Sequence, residues 1–306
     1  MIRQKHDQFS KQYLGDLLEP DGEIHPNYEI QGVSRYVDLY FMPKKTVTRQ
    51  NLGLLAQMTS KACLLEPFRN QPSKLEIRQC LLKLFALHGE LARQVQKQQK
   101  TQKQQNSKKR KSLSEEALPR LWILTTSASD NLLNFFDARL KLSQWGKGVY
   151  FFNRGFRSAI VVVDRLPITK KTLWLRILGK GQTQEQAIDE LMAFPKGDVL
   201  RNHVLELLST WHINVENQKR LTKDEKELLM NLSRAYFKWR EETLQQGHLE
   251  ERHSVVEKML KLRFGVDETL SQVIEPLVQM PQEESLRLLM QASRDKLLER
   301  LGKECA

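Results

Sequence analysis

The sequence predicts an α/β protein, in which a mixed β-sheet is flanked by helices and followed by an all-helical C-terminal region. Up to about residue 167, short apolar strands alternate with helices, and this alternation is typical of a sheet that is covered on both sides. After Pro167 the chain becomes leucine-rich with helical spacing. The 306 residues, 40% of them hydrophobic, are enough for a substantial core.

The expected domain boundaries follow from these changes in pattern. Residues 1–170 are predicted to form the sheet domain, with a flexible basic insertion at 97–116. Residues 171–247 are predicted to form a helical extension with one long helix, and residues 248–306 a separate helical module whose leucines recur at helical spacing. Such a module is typical either of an interaction or dimerisation surface, which would make the protein a homo-oligomer, or of an inert cap.

The first half supplies the elements of the sheet. Residues 3 to 18 carry an apolar stripe at helical spacing, and Pro20-Asp21-Gly22 ends this helix. Ser73 and Glu76 have the spacing of a capping box, which predicts a helix that runs to about Val95. Six segments are rich in β-branched, aromatic or aliphatic residues and bounded by turn signals, which predicts strands. They are about Glu23–Ile30, Arg35–Met42, Lys61–Glu66, Leu118–Thr125, Gly148–Phe152 and Ser158–Asp164.

The net charge of +12 favours an anionic partner, with nucleic acid before a membrane surface. Much of this charge lies in one run between Lys97 and Lys111, which holds seven cations and no acid. Such a run buries nothing and is typical of a solvated loop, although it could also contact phosphates non-specifically or imitate a nuclear import signal by composition.

Cysteine usage and hydropathy bear on the compartment. The three cysteines form no CxxC pair, which fits reduced thiols in a cytosolic protein. The N-terminal residues lack the apolar segment of a secretory signal, and no apolar run is long enough to span a bilayer. We therefore expect a cytoplasmic protein without membrane contact.

Two carboxylates mark the candidate site. Asp38 lies in the middle of an aromatic and β-branched strand, and Glu66 ends the next apolar strand. A carboxylate in such a position is costly to bury unless it is paired or binds a metal. The pair therefore indicates a divalent metal site on the sheet, unless Asp38 pairs with a nearby Lys or Arg and Glu66 begins a loop. Asp7, at the rim of the first helix, either supports this site or is a solvated helix residue.

The order helix, strand, strand with Asp, strand with Glu, helix, strand resembles the core of the PD-(D/E)xK nuclease fold. The opening His6-Asp7-Gln8-Phe9-Ser10-Lys11 resembles the first motif of the recombination-promoting nuclease (Rpn) family, which includes transposase-related proteins. Three further blocks resemble its cyanobacterial branch, and the region from about Glu250 resembles a small domain of unknown function that is often appended there. These blocks are 64–70, 118–124 and 173–179.

The resemblance implies a DNA endonuclease that depends on Mg²⁺ or another divalent cation. It implies that Asp38 and Glu66 are metal ligands and catalytic residues, and that the protein is linked to recombination or mobile elements. The family pattern has Lys or Gln two residues after the strand Glu, where this chain has Phe68. We expect the catalytic cation to come from Arg69, although regular strand alternation points its side chain to the other face from Glu66. A lysine from elsewhere, such as Lys61 or Lys11, is the alternative source.

The residues expected to bind nucleic acid are Lys11, Arg35, Lys108, Lys109 and Arg110. The alternative function is a catalytically degenerate nuclease fold that binds nucleic acid or a protein.

Overall fold

The computed structural model describes residues 5–29, 36–44, 51–102, 114–217 and 221–302. Contacts between Cα atoms divide the chain into two compact units, Met1–Tyr236 and Phe237–Ala306. The first unit therefore contains the sheet together with most of the region expected to be a helical extension. Among the described helices, none is long and apolar enough to cross a membrane.

The described part of the first unit contains a seven-stranded mixed sheet, in the order β1-β2-β3-β4-β7-β6-β5. The three central strands β3, β4 and β7 are parallel, and the strands on either side of them are antiparallel. The α/β class and the mixed sheet expected from the sequence are thus confirmed. The strands are β1 Gly22–Glu29, β2 Tyr36–Pro43, β3 Cys63–Phe68, β4 Arg120–Thr125, β5 Arg139–Leu140, β6 Val149–Phe151 and β7 Ser158–Val162.

Helices cover the sheet and build the rest of the chain. Within the described residues these are α1 Lys5–Leu18, α2 Leu54–Met58, α3 Lys74–Gln102, α4 Asp130–Phe135, α5 Leu142–Trp145, α6 Leu173–Arg176, α7 Gly181–Met192, α8 Val199–Glu216, α9 Lys223–Phe264, α10 Ile274–Gln279, α11 Gln282–Gln291 and α12 Arg294–Leu301. Five short 3₁₀ turns lie between them, at Glu19–Asp21, Glu115–Ala117, Arg154–Phe156, Val163–Arg165 and Glu268–Val273.

The helix α3 begins as its sequence predicts. The Ser73 amide donates to the Glu76 carboxylate at 2.7 Å, and the Glu76 amide donates to the Ser73 hydroxyl at 3.2 Å. This reciprocal capping box satisfies two amides that have no partner inside the helix. The helix extends to Gln102, past the expected end at Val95, because Gln, Lys and Arg are good helix formers even without an apolar face. The start of the expected basic insertion is therefore helical, and residues 103–113 lie outside the described residues.

The packing of β2 departs from simple alternation next to Asp38. Regular strand alternation would place Val37 and Leu39 on one face, but Val37 packs with Tyr40 and Leu64 in the core under α3. Leu39 instead lies beside Gly15 of α1. Asn27 on β1, at the position opposite Asp38 in the register, has a left-handed backbone with φ +50°. The pairing of β1 with β2 is thus distorted at Asp38, the candidate metal ligand.

The second unit has its own apolar core. Its members come from the end of α9, the 3₁₀ turn after it and α10 to α12, and they are Val256, Leu260, Leu270, Val273, Leu277, Val278, Leu289, Ala292, Leu297 and Leu301. Gly265, with φ +82°, ends α9, and Pro281 precedes α11. The long helix α9 continues to Phe264, past residue 247, where the helical extension was expected to end.

Candidate active site

Asp38 and Glu66 meet where β2 and β3 stop pairing. The antiparallel register joins Phe41 with Cys63 and ends at Leu39 with Leu65, so the two acidic residues are the next on each strand. The Asp38 amide donates to Glu66 Oε1 at 3.3 Å. Both side chains are buried, Glu66 almost completely. The two carboxylates expected from the sequence to form a site are therefore brought together.

The strand β3 continues through Pro67 to Phe68 instead of ending at Glu66. It pairs with β4 over this length, but its pairing with β2 stops at Leu65. A proline has no amide to donate and is therefore tolerated where a strand has an unpaired side. The proline thus fits the point at which the two strands separate. Phe68 packs against the core under α3 and takes no polar role at the site.

Helix α3 places a lysine on Glu66. Lys83 Nζ donates to Glu66 Oε1 at 2.9 Å and to Oε2 at 2.7 Å. The Cys80 thiol, one helical turn earlier, donates a weak hydrogen bond to Oε2 at 3.9 Å. Lys83 is only 9% exposed, so this ammonium is held inside the protein by the carboxylate.

Helix α1 places a second lysine on Asp38. Lys11 Nζ lies 2.7 Å from Asp38 Oδ1 and donates to Asn27 Oδ1 at 3.3 Å. The pairing of Asp38 with a lysine, one of the two interpretations of this residue, is therefore present. Lys11 also lines a cleft of about 740 Å³ between α1 and β1.

Burial is the largest influence on the electrostatics of the site. Burial and the neighbouring Asp38 carboxylate raise the pKa of Glu66 to about 7, against the opposing effect of the Lys83 ammonium. Burial disfavours the charged form of Lys83, but the attraction of Glu66 outweighs it and raises the pKa of this lysine. Glu66 therefore titrates close to neutral pH, whereas Lys83 stays charged there.

The donor set fits a divalent cation that keeps part of its hydration shell. Among the described residues, no group of three or more His, Cys, Asp or Glu side chains could hold a metal ion. Two carboxylates with a phosphate and several waters are nevertheless a sufficient set for Mg²⁺. Burial and the Asp38 carboxylate both disfavour the ionised form of Glu66, and a bound cation would favour it.

Arg69, expected to supply the catalytic cation, is directed away from the carboxylates. Its Nη1 donates to the Gly179 carbonyl at 2.5 Å, and its Nη2 lies 3.7 Å from Glu227 Oε1. The side chain is buried, at 2% exposure. Arg69 directly follows β3, and strand alternation turns its side chain away from Glu66. The side chain therefore links the end of β3 to the helical region after the sheet.

The other expected site residues have different placements. Lys61 lies 3.8 Å from Glu116, at the opposite end of β3 from Glu66. Asp7 belongs to α1, but its side chain lies outside the described part of the structure. The remaining residues expected to bind nucleic acid also lie outside the described ranges; these are Arg35, Lys108, Lys109 and Arg110.

Lys83 is the site residue that sequence reasoning missed, although the sequence carried a signal for it. It lies three residues after Cys80 and four before Leu87, on the stripe of α3 that faces the core. A lysine in an apolar stripe needs a buried carboxylate, and Glu66 is a buried carboxylate of the neighbouring predicted strand.

No protein-family model, curated protein or solved structure matches this chain.

Proposed function

We propose that this chain is a divalent-metal-dependent deoxyribonuclease that hydrolyses phosphodiester bonds at the site formed by Asp38, Glu66 and Lys83. The observation that carries the proposal is the meeting of two buried carboxylates and a buried lysine where two strands separate. The resemblance of the sequence to PD-(D/E)xK nucleases of the Rpn family supports it, as does the net charge of +12.

Each residue has a distinct role in the proposed reaction. Asp38 and Glu66 would hold Mg²⁺, which supplies Lewis-acid polarisation of the scissile phosphate and activation of water. Lys83, which already donates to both oxygens of Glu66, would turn one N–H toward a phosphate oxygen and stabilise the charge that develops there. Lys83 would thus take the role of the lysine that the family pattern has at the position of Phe68. Lys11 would attract the phosphate backbone into the cleft beside Asp38.

The proposal is tested by plasmid cleavage with Mg²⁺ or Mn²⁺, using wild-type protein and the variants Asp38→Asn, Glu66→Gln and Lys83→Gln. Both carboxylate variants should lose metal-dependent cleavage, and Lys83→Gln should lose about 100-fold in rate. Asp137→Asn is a matched control, because Asp137 is an exposed carboxylate with a left-handed backbone that asparagine tolerates. Circular dichroism confirms that each variant is folded. Wild-type protein that cuts no DNA in either metal would refute the proposal.

A second candidate function is a catalytically inactive fold that binds DNA or a protein. The ion pairs of both carboxylates with lysines favour it, because they already neutralise the charge that a metal would neutralise. The same plasmid substrate separates the two functions. Salt-sensitive DNA binding that needs no metal, without cleavage, would support the inactive binding protein.

A further inference from the structure

We propose that the first unit has a second ligand site, at the opposite end of the central strands from Glu66, which binds a nucleoside monophosphate. A cavity of about 330 Å³ opens at the amino ends of β3, β4 and β7. Its wall includes Ala62, directly before β3, and Arg120 and Ser158, the first residues of the other two strands. This site is independent of the metal chemistry proposed for Asp38 and Glu66.

Aromatic rings form one wall of the cavity. The Trp122 and Trp145 ring centroids lie 5.0 Å apart, and Phe151 lies 5.3 Å from Trp145 and 5.7 Å from Trp122. Trp122 and Phe151 are buried, whereas Trp145 is half-buried and presents part of its ring to the cavity. A half-buried indole is a suitable surface for a stacked nucleobase.

Arg120 brings positive charge into this aromatic wall without an anionic partner. Its guanidinium lies 5.6 Å from the Trp122 ring and 5.3 Å from the Phe151 ring. In the described part of the chain the Arg120 side chain makes no hydrogen bond and no ion pair, although the residue is half-buried. A charged group in this environment loses hydration, and the loss is offset only in part by the aromatic faces.

Arg157 adds a second guanidinium close to the first. Its positive charge contributes, after burial, to lowering the pKa of Arg120. Its side chain is 12% exposed, donates to the Leu118 carbonyl at 2.7 Å and is 3.7 Å from Glu115. Its Nε is buried and has no hydrogen-bond partner among the described residues.

The backbone at Arg157 is also unusual. Its φ is +46°, in the left-handed region, which is costly for a residue with a side chain. Such strained residues cluster at ligand sites. Two neighbouring guanidiniums that line the same cavity form a suitable pair of contacts for a phosphate.

The size of the cavity favours a single nucleotide over a polynucleotide. A volume of 330 Å³ is at the lower end of the range for small-molecule pockets. Glu115 and Glu116 line the same cavity and are exposed; Glu115 lies 3.7 Å from Arg157 and Glu116 lies 3.8 Å from Lys61. In our assignment the phosphate lies between Arg120 and Arg157, the base stacks on Trp145, and the rim carboxylates accept hydrogen bonds from the sugar.

The site is tested with adenosine monophosphate, inorganic phosphate and adenosine, by calorimetry and by quenching of tryptophan fluorescence in the full chain. We expect saturable binding of the nucleotide, competition by phosphate, and binding of phosphate or adenosine alone at least tenfold weaker. Arg120→Gln should weaken nucleotide binding at least tenfold. Arg78→Gln is the matched control, since Arg78 is exposed on α3 and does not line the cavity.

Trp145→Leu provides an independent variant at a half-buried position, and it should weaken binding of the nucleotide more than that of phosphate. Three results would overturn the proposal: no saturable binding of the nucleotide at millimolar concentration, equal affinity in Arg120→Gln and Arg78→Gln, or phosphate binding as tight as nucleotide binding. Tight binding of a 5′-phosphorylated oligonucleotide but not of the nucleotide would also overturn it.

Discussion

At the scale of single residues, Glu66 is the most informative side chain. It is buried between a carboxylate and an ammonium, and its pKa is about 7 instead of 4.5. Burial is the largest cause, and the charge of Asp38 is the next. The folded state therefore binds this proton more tightly than the unfolded state. The contribution of Glu66 to stability is largest below about pH 4.5 and is lost as the pH rises through 7.

We predict that Asp38→Asn lowers the pKa of Glu66 toward its ordinary value, because it removes a neighbouring negative charge and leaves the Lys83 ammonium in place. Titration of the ¹³C-labelled Glu66 carboxylate by NMR, without metal, measures this shift. Asp137→Asn, distant along the chain and exposed, should leave the titration unchanged. An unchanged pKa of Glu66 in Asp38→Asn would show that the two carboxylates do not interact.

Arg69 is predicted to act on stability and not on chemistry. It is 2% exposed, and it donates to the Gly179 carbonyl. Arg69→Ala should lower the free energy of unfolding by about 2–3 kcal/mol, since a charged hydrogen bond is removed and a buried carbonyl is left without its donor. Urea unfolding measures this change. In folded Arg69→Ala at low temperature, cleavage per active molecule should match the wild type, and a selective loss of cleavage would return Arg69 to the catalytic site.

The residues that the sequence identified and those that it missed differ in how far apart along the chain their interaction partners lie. The Ser73–Glu76 capping box is local, so its spacing alone predicted it. Asp38 and Glu66 were identified because each is a carboxylate in an apolar strand. The Lys83–Glu66 pair joins residues 17 apart, and the packing of α3 on the sheet decides it. The sequence distinguishes Lys83 from the other lysines only by its place in the apolar stripe of α3.

At the scale of elements, the sheet was predictable where each strand had a continuous apolar run bounded by turn residues. The observed strand ends differ from the expected ones by two residues at most, and two differences, one in a strand and one in a helix, have clear physical causes. The end of β3 moved past Pro67 because one side of the strand is unpaired there. The end of α9 moved to Phe264 because no glycine or proline that breaks the helix precedes Gly265, and Gly247 lies within it.

The helical module of the second unit contains a local ion pair with a clear pH dependence. Arg294 and Thr269 lower the pKa of Asp267 to about 2 through hydrogen bonds to its carboxylate. The stabilisation is therefore complete above pH 3.8 and is lost as the pH falls through about 2.

We predict that Asp267→Asn lowers the melting temperature of the second unit at pH 5 and that the difference from wild type shrinks toward pH 2. The asparagine keeps a side-chain oxygen that can accept from the Thr269 amide, so the comparison isolates the charge. Thermal unfolding followed by circular dichroism from pH 5 to pH 2 measures it. A difference that stays constant with pH would exclude the ion pair as its source.

At the scale of the whole molecule, positive charge is distributed unevenly along the chain. Residues 103–113 contain five cations, no acid and one apolar residue, Leu113. We predict that a Gly/Ser linker in their place leaves the melting temperature unchanged, since the segment has almost nothing to bury. If the segment binds DNA, the slope of log Kd against log salt concentration should fall by about one for each phosphate that the variant no longer neutralises. Binding measured by fluorescence anisotropy at several salt concentrations provides the slope, and loss of folded protein would contradict the prediction.

The site connects these scales, because β2, β3, α1 and α3 each contribute one charged side chain to it. The carboxylates come from the two strands, and the two lysines come from the two helices. The central claim is that the carboxylates bind a divalent cation despite their lysine partners.

The most direct test is a titration of the purified protein with Mn²⁺, with free metal measured by electron paramagnetic resonance at pH 8, where Glu66 is ionised. Wild-type protein should bind one Mn²⁺ that Mg²⁺ displaces, and Asp137→Asn should bind it equally well. Asp38→Asn and Glu66→Gln, shown to be folded by circular dichroism, should each lose this site. A wild-type protein that binds no Mn²⁺, or binding that survives in both carboxylate variants, would contradict the assignment of the metal to Asp38 and Glu66.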